Sequence, residues 1–209
     1  MPDRIIVFGS GGHAKVVVEA ILARTPDREV VLLDDAAEAA GRSIFGIAVS
    51  GGRQKLAALS GSPVVPAIGD NQARSDLLAW LGEQGHALEA VVHPNAVVAP
   101  SVQLSPGAFV SAGAVIIAEA RIGEGAIINT GATVDHDCVI GQAAHVGPGV
   151  HLCGNVQIGA RTLVGVGSSV RPGIRVCDDV IIGAGSVVVQ DIDSAGTYAG
   201  NPARALKAT

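Results

Sequence analysis

Two stretches of the chain hold residue types that could do chemistry. The first is Asn129-Thr-Gly-Ala-Thr-Val-Asp135-His136-Asp137-Cys138, with His145 nine residues after His136. Carboxylates on either side of a histidine stabilise its imidazolium and raise its basicity. A general base that takes a proton from an amine or hydroxyl needs this, and such a base contributes about 10²–10⁴-fold to rate. A second imidazole close by could donate to a carbonyl oxygen as an oxyanion stabiliser. The motif offers a base with no nucleophile beside it, which suits direct attack rather than a covalent intermediate. The same spacing also fits two surface histidines on a turn.

The second stretch is Gly9-Ser-Gly11-Gly12-His13-Ala-Lys15, directly after the apolar run Ile5–Phe8. Gly9-x-Gly11-x-x-Ala14 approximates a phosphate-binding turn, and Asp34-Asp35 follow about 25 residues later, near the distance expected for a ribose or base contact. His13 could reach a phosphate or sugar from this turn. A plain strand–helix turn is the other reading. Around it, Val30–Leu33 and Val64–Ile68 read as further strands, the latter leading into Gly69-Asp70-Asn71, and Val16–Leu22 and Ala73–Leu81 as helices. The order predicts a small Rossmann-like α/β sheet. Ending near residue 90, it is half a dinucleotide fold and suits one mononucleotide.

The element that must position the first stretch is a repeat. From Val92 to Val188 every sixth residue is aliphatic, seventeen positions in one phase, and four residues after each stands a small or aliphatic one. A strict six-residue period is the signature of a parallel β-helix. Three hexads complete a triangular turn, and turns stack at about 4.8 Å, so the coil is on the order of 27 Å long. Coils of this class are left-handed. Gly107, Gly113, Gly125, Gly131, Gly149, Gly167, Gly173 and Gly185 recur beside the corners, where positive φ and close approach suit glycine. The organisation expected is residues 1–90 as a nucleotide-binding domain, 91–192 as the coil and 193–209 as a capping tail. Residues 1–90 are expected to cover one end of the coil and the tail to cover or flank the other. The smooth faces of the coil suit an oligomer, and hexapeptide coils resemble one another in forming trimers.

Composition narrows the partners. A net charge of −5 argues against nucleic acid. No apolar run reaches membrane-spanning length and no signal peptide is legible. Three cysteines without metal spacing fit reduced thiols and a cytoplasmic location. Between Cys138 and Cys177 there is no Asp or Glu, yet Arg161, Arg171 and Arg175 are present. That stretch could favour an anion along the later turns, or be ordinary coil surface. One metal-based reading, a γ-type carbonic anhydrase, would recruit His136, His145 and His151, but spacings of nine and six do not resemble its pattern.

Taken together, Gly9-Ser-Gly-Gly-His13, Asp34-Asp35, Ile68-Gly-Asp-Asn71, Asn129, Val134-Asp-His-Asp-Cys-Val-Ile-Gly141, His145, Gly154-Asn155 and Gly200-Asn-Pro-Ala-Arg204 resemble one family across essentially the whole chain. It is the bacterial sugar O-acyltransferase family of the sialic acid O-acetyltransferase type. The family includes N-acetyltransferases of nucleotide-linked 4-amino-sugars in the bacillosamine and perosamine pathways. The resemblance implies an acetyl-CoA-dependent, metal-free homotrimer that N-acetylates a UDP- or GDP-amino-sugar for surface glycan or lipopolysaccharide synthesis; O-acetylation of a sialic acid is the alternative. It implies His136 as general base, with Asp137 in the place of an acidic residue, often Glu, that raises its basicity. It implies acetyl-CoA contacts at His145, Val166 and Ala184, the last more often Gly in the family. On the substrate side it implies Gly11, Gly12, His13, Asp34, Asp35, Gly69 and Arg74, and Asn129 joins this group.

Overall fold

The computed structural model describes residues 4–206; the first and last three residues of the expected outer domains lie outside the described residues. Strand β1 (Arg4–Phe8) runs into helix α1 (Gly12–Arg24), then β2 (Glu29–Leu33). A short hairpin of β3 (Ser43–Ile44) and β4 (Ile47–Ala48) precedes β5 (Val64–Pro66) and helix α2 (Asn71–Glu83). The sheet order is β2-β1-β5, all parallel. Its strands are unbroken apolar runs because both faces are covered. On one face Ile5 and Val7 pack with Ala14, Val17, Val18 and Ile21 of α1. On the other Ile6 and Phe8 pack with Leu77 and Leu81 of α2. Asp70 starts α2 by accepting the Ala73 N–H at 2.8 Å, a side-chain cap for an otherwise unpaired donor.

From Val91 onward the chain is a left-handed parallel β-helix. Strands of mostly two residues repeat every six and build three parallel sheets, with neighbours 18 residues apart, as in Val115↔Thr133↔His151. In each pair the second residue is aliphatic and points inward; Val110, Ile116, Ile122, Ile128, Val134, Ile140 and Val146 are buried. The eight corner glycines have φ between +60° and +74°. Non-glycine residues hold the same turn position at Glu119, Asp137, Ala143, Asn155, Arg161 and Asp179, with φ of 51–61°. Gly141, one of a second set, serves close stacking instead: a Cβ there would lie 2.5 Å from the Ala160 nitrogen of the next turn.

The N-terminal domain lies along a flank of the coil rather than over its end. The outward residues of one face, Val91, Phe109 and Ile127, join the α1 core and are buried, whereas the outward positions of the other faces mix polar side chains such as Thr133, His151, Gln157 and Arg175 with valines such as Val97 and Val139, and none is buried. Apolar side chains on an outer face need a cover, and this domain supplies it. The tail pairs with the later turns of the coil. Gly196–Ala199 adds a strand beside Val180–Ile182, Arg204–Ala205 pairs back onto it, and Tyr198 and Ala203 pack on the coil core.

Candidate active site

His136 stands on a corner of the coil, more than half exposed. Its Nδ1 hydrogen-bonds Asp137 Oδ2 at 2.7 Å. The left-handed backbone of Asp137 (φ 60°) lets adjacent side chains meet. Asp135 Oδ1 accepts the His136 backbone N–H at 2.7 Å. The Asp137 hydrogen bond, aided by the charges of Asp135 and Asp137, holds His136 above the ordinary histidine value. With Nδ1–H donated to Asp137, Nε2 carries the free lone pair that a base needs.

His145 is a different kind of histidine. It lies on the face beneath the N-terminal domain, between Ile127 and Leu163. Burial, then the nearby Arg74 cation, pushes its pKa down to about 4, so it is neutral at physiological pH. Asn129 Oδ1 accepts the Thr130 N–H at 2.8 Å, which turns Asn129 Nδ2 toward His145 Nε2 at 2.9 Å. In that network Nε2 accepts and the ring proton sits on Nδ1. Asn129 thus orients His145. Nine residues are half of an 18-residue turn, so His136 and His145 of one chain lie on opposite sides of the prism. The close pair of imidazoles that their spacing allowed is not formed within one chain.

The glycine-rich turn opens a cleft of about 560 Å³ bordered by Gly11, Gly12, His13, Asp34, Asp35 and Gly69. Gly9 is required there: its φ is +122° and a Cβ would lie 2.6 Å from the Ala67 carbonyl oxygen. No side chain caps the start of α1, which leaves its first N–H groups open to an anion. His13 sits edge-on against Phe109 with ring centroids 5.2 Å apart. Burial, then Arg74 and His145, pushes its pKa down to about 3. Its Nε2 is buried without a hydrogen bond among the described residues.

The acidic pair divides its work. Asp34 Oδ2 accepts Ser10 N at 2.7 Å and Ser10 Oγ at 2.6 Å, and Oδ1 accepts Ala36 N at 2.9 Å. Burial pushes its carboxyl up, but these hydrogen bonds outweigh burial and hold it below the usual value. Asp34 is therefore a staple between the turn and β2. Asp35 seats Arg53, accepting its backbone N at 2.8 Å and its Nε at 2.7 Å. Arg53 also lies over Trp80, 4.6 Å from the ring centroid, and borders the cleft. Nothing along the chain marks Arg53 as a site residue, because its partners are 18 and 27 residues away.

Arg74, expected on the nucleotide-sugar side, is buried and does not line the cleft at the glycine-rich turn. Nε donates to Gly125 O at 2.8 Å, Nη1 to Ile68 O at 2.7 Å, and Nη2 to Asn71 Oδ1 and Ala143 O, both at 2.7 Å. With its donors spent on carbonyls of both domains, it is the clamp between them. Asn71 adds a hydrogen bond to the Arg161 carbonyl at 2.8 Å.

The acid-free stretch is also altered by folding. Arg161 pairs with Asp179 at 2.6 Å and Arg175 with Asp191 at 3.3 Å. Stacking brings in acids from about one turn on, so two of the three arginines are neutralised. The backbone of the later turns is also open to a ligand. Val166 and Ala184 stack one turn apart, Val166 is 53 % exposed, and neither N–H has an intrachain partner among the described residues. Among those residues no three His, Cys, Asp or Glu side chains are grouped to hold a metal ion, and no helix is long and apolar enough to cross a membrane.

Residues 4–81 match the PglD N-terminal domain. A perosamine N-acetyltransferase from Caulobacter crescentus, solved with CoA and GDP-perosamine, is 41 % identical, with 98 % of this chain and 97 % of that one covered and a TM-score of 0.91. The chain belongs to the nucleotide-linked amino-sugar N-acetyltransferase family. The acetyltransferase domain of PglB from Neisseria gonorrhoeae, solved with acetyl coenzyme A, is 38 % identical over 98 % of this chain and 99 % of that one, with a TM-score of 0.92. WeeI from Acinetobacter baumannii is 25 % identical over 97 % and 99 %, with a TM-score of 0.74. Family membership settles the fold and class of enzyme; the roles of single residues rest on their geometry.

Proposed function

We propose that the protein transfers the acetyl group of acetyl-CoA to the amine of a nucleotide-linked amino-sugar, with His136 as general base. The main support is the His136–Asp137 hydrogen bond at 2.7 Å on an exposed corner, joined by the 41 % identical relative solved with CoA and GDP-perosamine. The amine nitrogen attacks the thioester carbonyl while His136 Nε2 takes its proton. The tetrahedral adduct collapses, the carbon–sulfur bond breaks, and the imidazolium returns the proton to the departing CoA thiolate. Asp137 stabilises the imidazolium that forms in between.

The two substrates are held by different parts. The nucleotide diphosphate lies over the Gly9–His13 turn, whose α1 N–H groups meet the phosphates. Gly69 borders both this cleft and a second one of about 280 Å³ shared with His145 on the coil, so the sugar runs from the turn toward His145. CoA lies along the later turns on the free N–H groups of Val166 and Ala184. Since His136 faces away from these clefts within its own chain, the active site joins the N-terminal domain and His145 of one protomer to His136 of another. A cyclic homotrimer supplies three such boundaries. Reliance on acetyl-CoA and a nucleotide-sugar fits a cytoplasmic reaction, as a step in surface glycan assembly.

The test is to incubate the protein with acetyl-CoA and GDP- or UDP-linked 4-amino-sugars and follow product by mass spectrometry. One N-acetylated sugar is expected per CoA thiol released. Trapping a stoichiometric acetyl-protein with acetyl-CoA alone would contradict direct transfer.

A further inference from the structure

The imidazole of His136 does not stand free on its corner. The next turn of the coil passes beneath it at Gly154, 18 residues on, where Asn155 N donates to the His136 carbonyl at 2.8 Å. A Cβ built on Gly154 would lie 2.5 Å from Cε1 and 3.1 Å from Cδ2 of the imidazole, and closest of all to Nε2. The nearest atoms all belong to that ring. This separates Gly154 from Gly141, Gly159 and Gly165, where an added Cβ meets the backbone of the following turn. Nor does Gly154 adopt the left-handed backbone of the corner glycines. A side chain there meets no fixed obstacle, because the ring is the movable end of an exposed side chain.

We propose that Gly154 is a positioning residue for the acetyl transfer: its missing side chain makes the seat on which the His136 imidazole rests while Nδ1 is held by Asp137. Two contacts then fix the ring, a hydrogen bond at Nδ1 and a surface under the Cε1–Nε2 edge. The first sets the tautomer and the second sets the direction of the Nε2 lone pair. A methyl group at residue 154 lifts the edge, and the ring swings about its Cα–Cβ and Cβ–Cγ bonds away from Asp137. Misplacing a reacting group by about 1 Å can cost about 10²-fold in rate.

This inference rests on reading His136 as the base, and a double-mutant cycle separates the two. Gly154→Ala, His136→Ala and the double variant are compared for kcat, KM for each substrate, acetyl-CoA affinity by calorimetry and thermal unfolding. Gly154→Ala is expected to lower kcat by about 10–10²-fold with both KM values, acetyl-CoA affinity and unfolding temperature close to wild type. The acid limb of its pH–rate profile should shift to lower pH, since the ring has moved off Asp137. In the His136→Ala background, with no ring to displace, Gly154→Ala should cost nothing further. Full activity of Gly154→Ala beside an inactive His136→Ala would overturn the seat and leave the base intact. An equal, additive loss in both backgrounds would mean that the methyl blocks a substrate directly, and would overturn it too. Loss of the fold in Gly154→Ala would show that the backbone, not the imidazole, requires glycine, and would likewise overturn the seat. An active His136→Ala would instead remove the base reading.

Discussion

At the scale of residues, the candidate site is two histidines in opposite states. His136 is exposed, paired with a carboxylate and raised; His145 is half-buried beside a cation and lowered to about 4. The His136–Asp137 pair was legible in the sequence, because Asp137 is adjacent to His136 and a neighbour in sequence is a neighbour in space. Asp34 and Arg74 were not, since what they bind comes from residues 24 and 51 positions away. Gly154 belongs to a recognisable Gly-Asn pair, but its contact with His136 arises only once turns are stacked. Removing the carboxylate should weaken the base. Asp137→Asn is expected to move the acid limb of kcat/KM to lower pH, because the hydrogen bond that raises His136 loses its charge. The plateau should fall by about tenfold or more. A pH–rate series on both proteins checks this, and an unmoved acid limb would count against Asp137.

At the scale of elements, the coil was readable almost residue by residue, because a strict period needs only the inward positions. What stacking does to surface charge was not. The arginines of the acid-free stretch look unpaired along the chain, and Arg161 and Arg175 meet Asp179 and Asp191 only in the folded coil. The position of the N-terminal domain was encoded in the outward residues Val91, Phe109 and Ile127, which share one face only when read at 18-residue spacing. A coil cut at Val91 would expose all three. The clamp between domains is Arg74, and Arg74→Met would leave the carbonyls of Gly125, Ala143 and Ile68 without donors. A loss of about 3–5 kcal/mol is expected. In urea, the N-terminal domain should melt before the coil, whereas the wild type should lose both together.

At the scale of the whole molecule, the proposed reading assembles the site from two chains. One inactive protein carrying His136→Ala and another carrying Gly11→Glu, which places charge at the phosphate position in open space, should complement when co-expressed. About a quarter of wild-type sites should recover in random trimers; no recovery would argue for a site within one chain. The domain seam also makes stability pH-dependent. The folded-state pKa values of His13 and His145 are depressed to about 3 and 4 from 6.5, so the unfolded chain binds more protons below that value. Stability is full above about pH 6.5 and falls as pH drops toward 4, by at most about 1.4 kcal/mol per pH unit for each imidazole. Urea midpoints at pH 7 and 5 measure it. The chemistry itself is probed most simply by the turnover of His136→Ala at saturating acetyl-CoA and nucleotide-amino-sugar near neutral pH. If His136 is the base, kcat falls by about 10²–10⁴-fold with the affinity for both substrates kept. Retention of more than about a third of wild-type turnover would rule His136 out as the base.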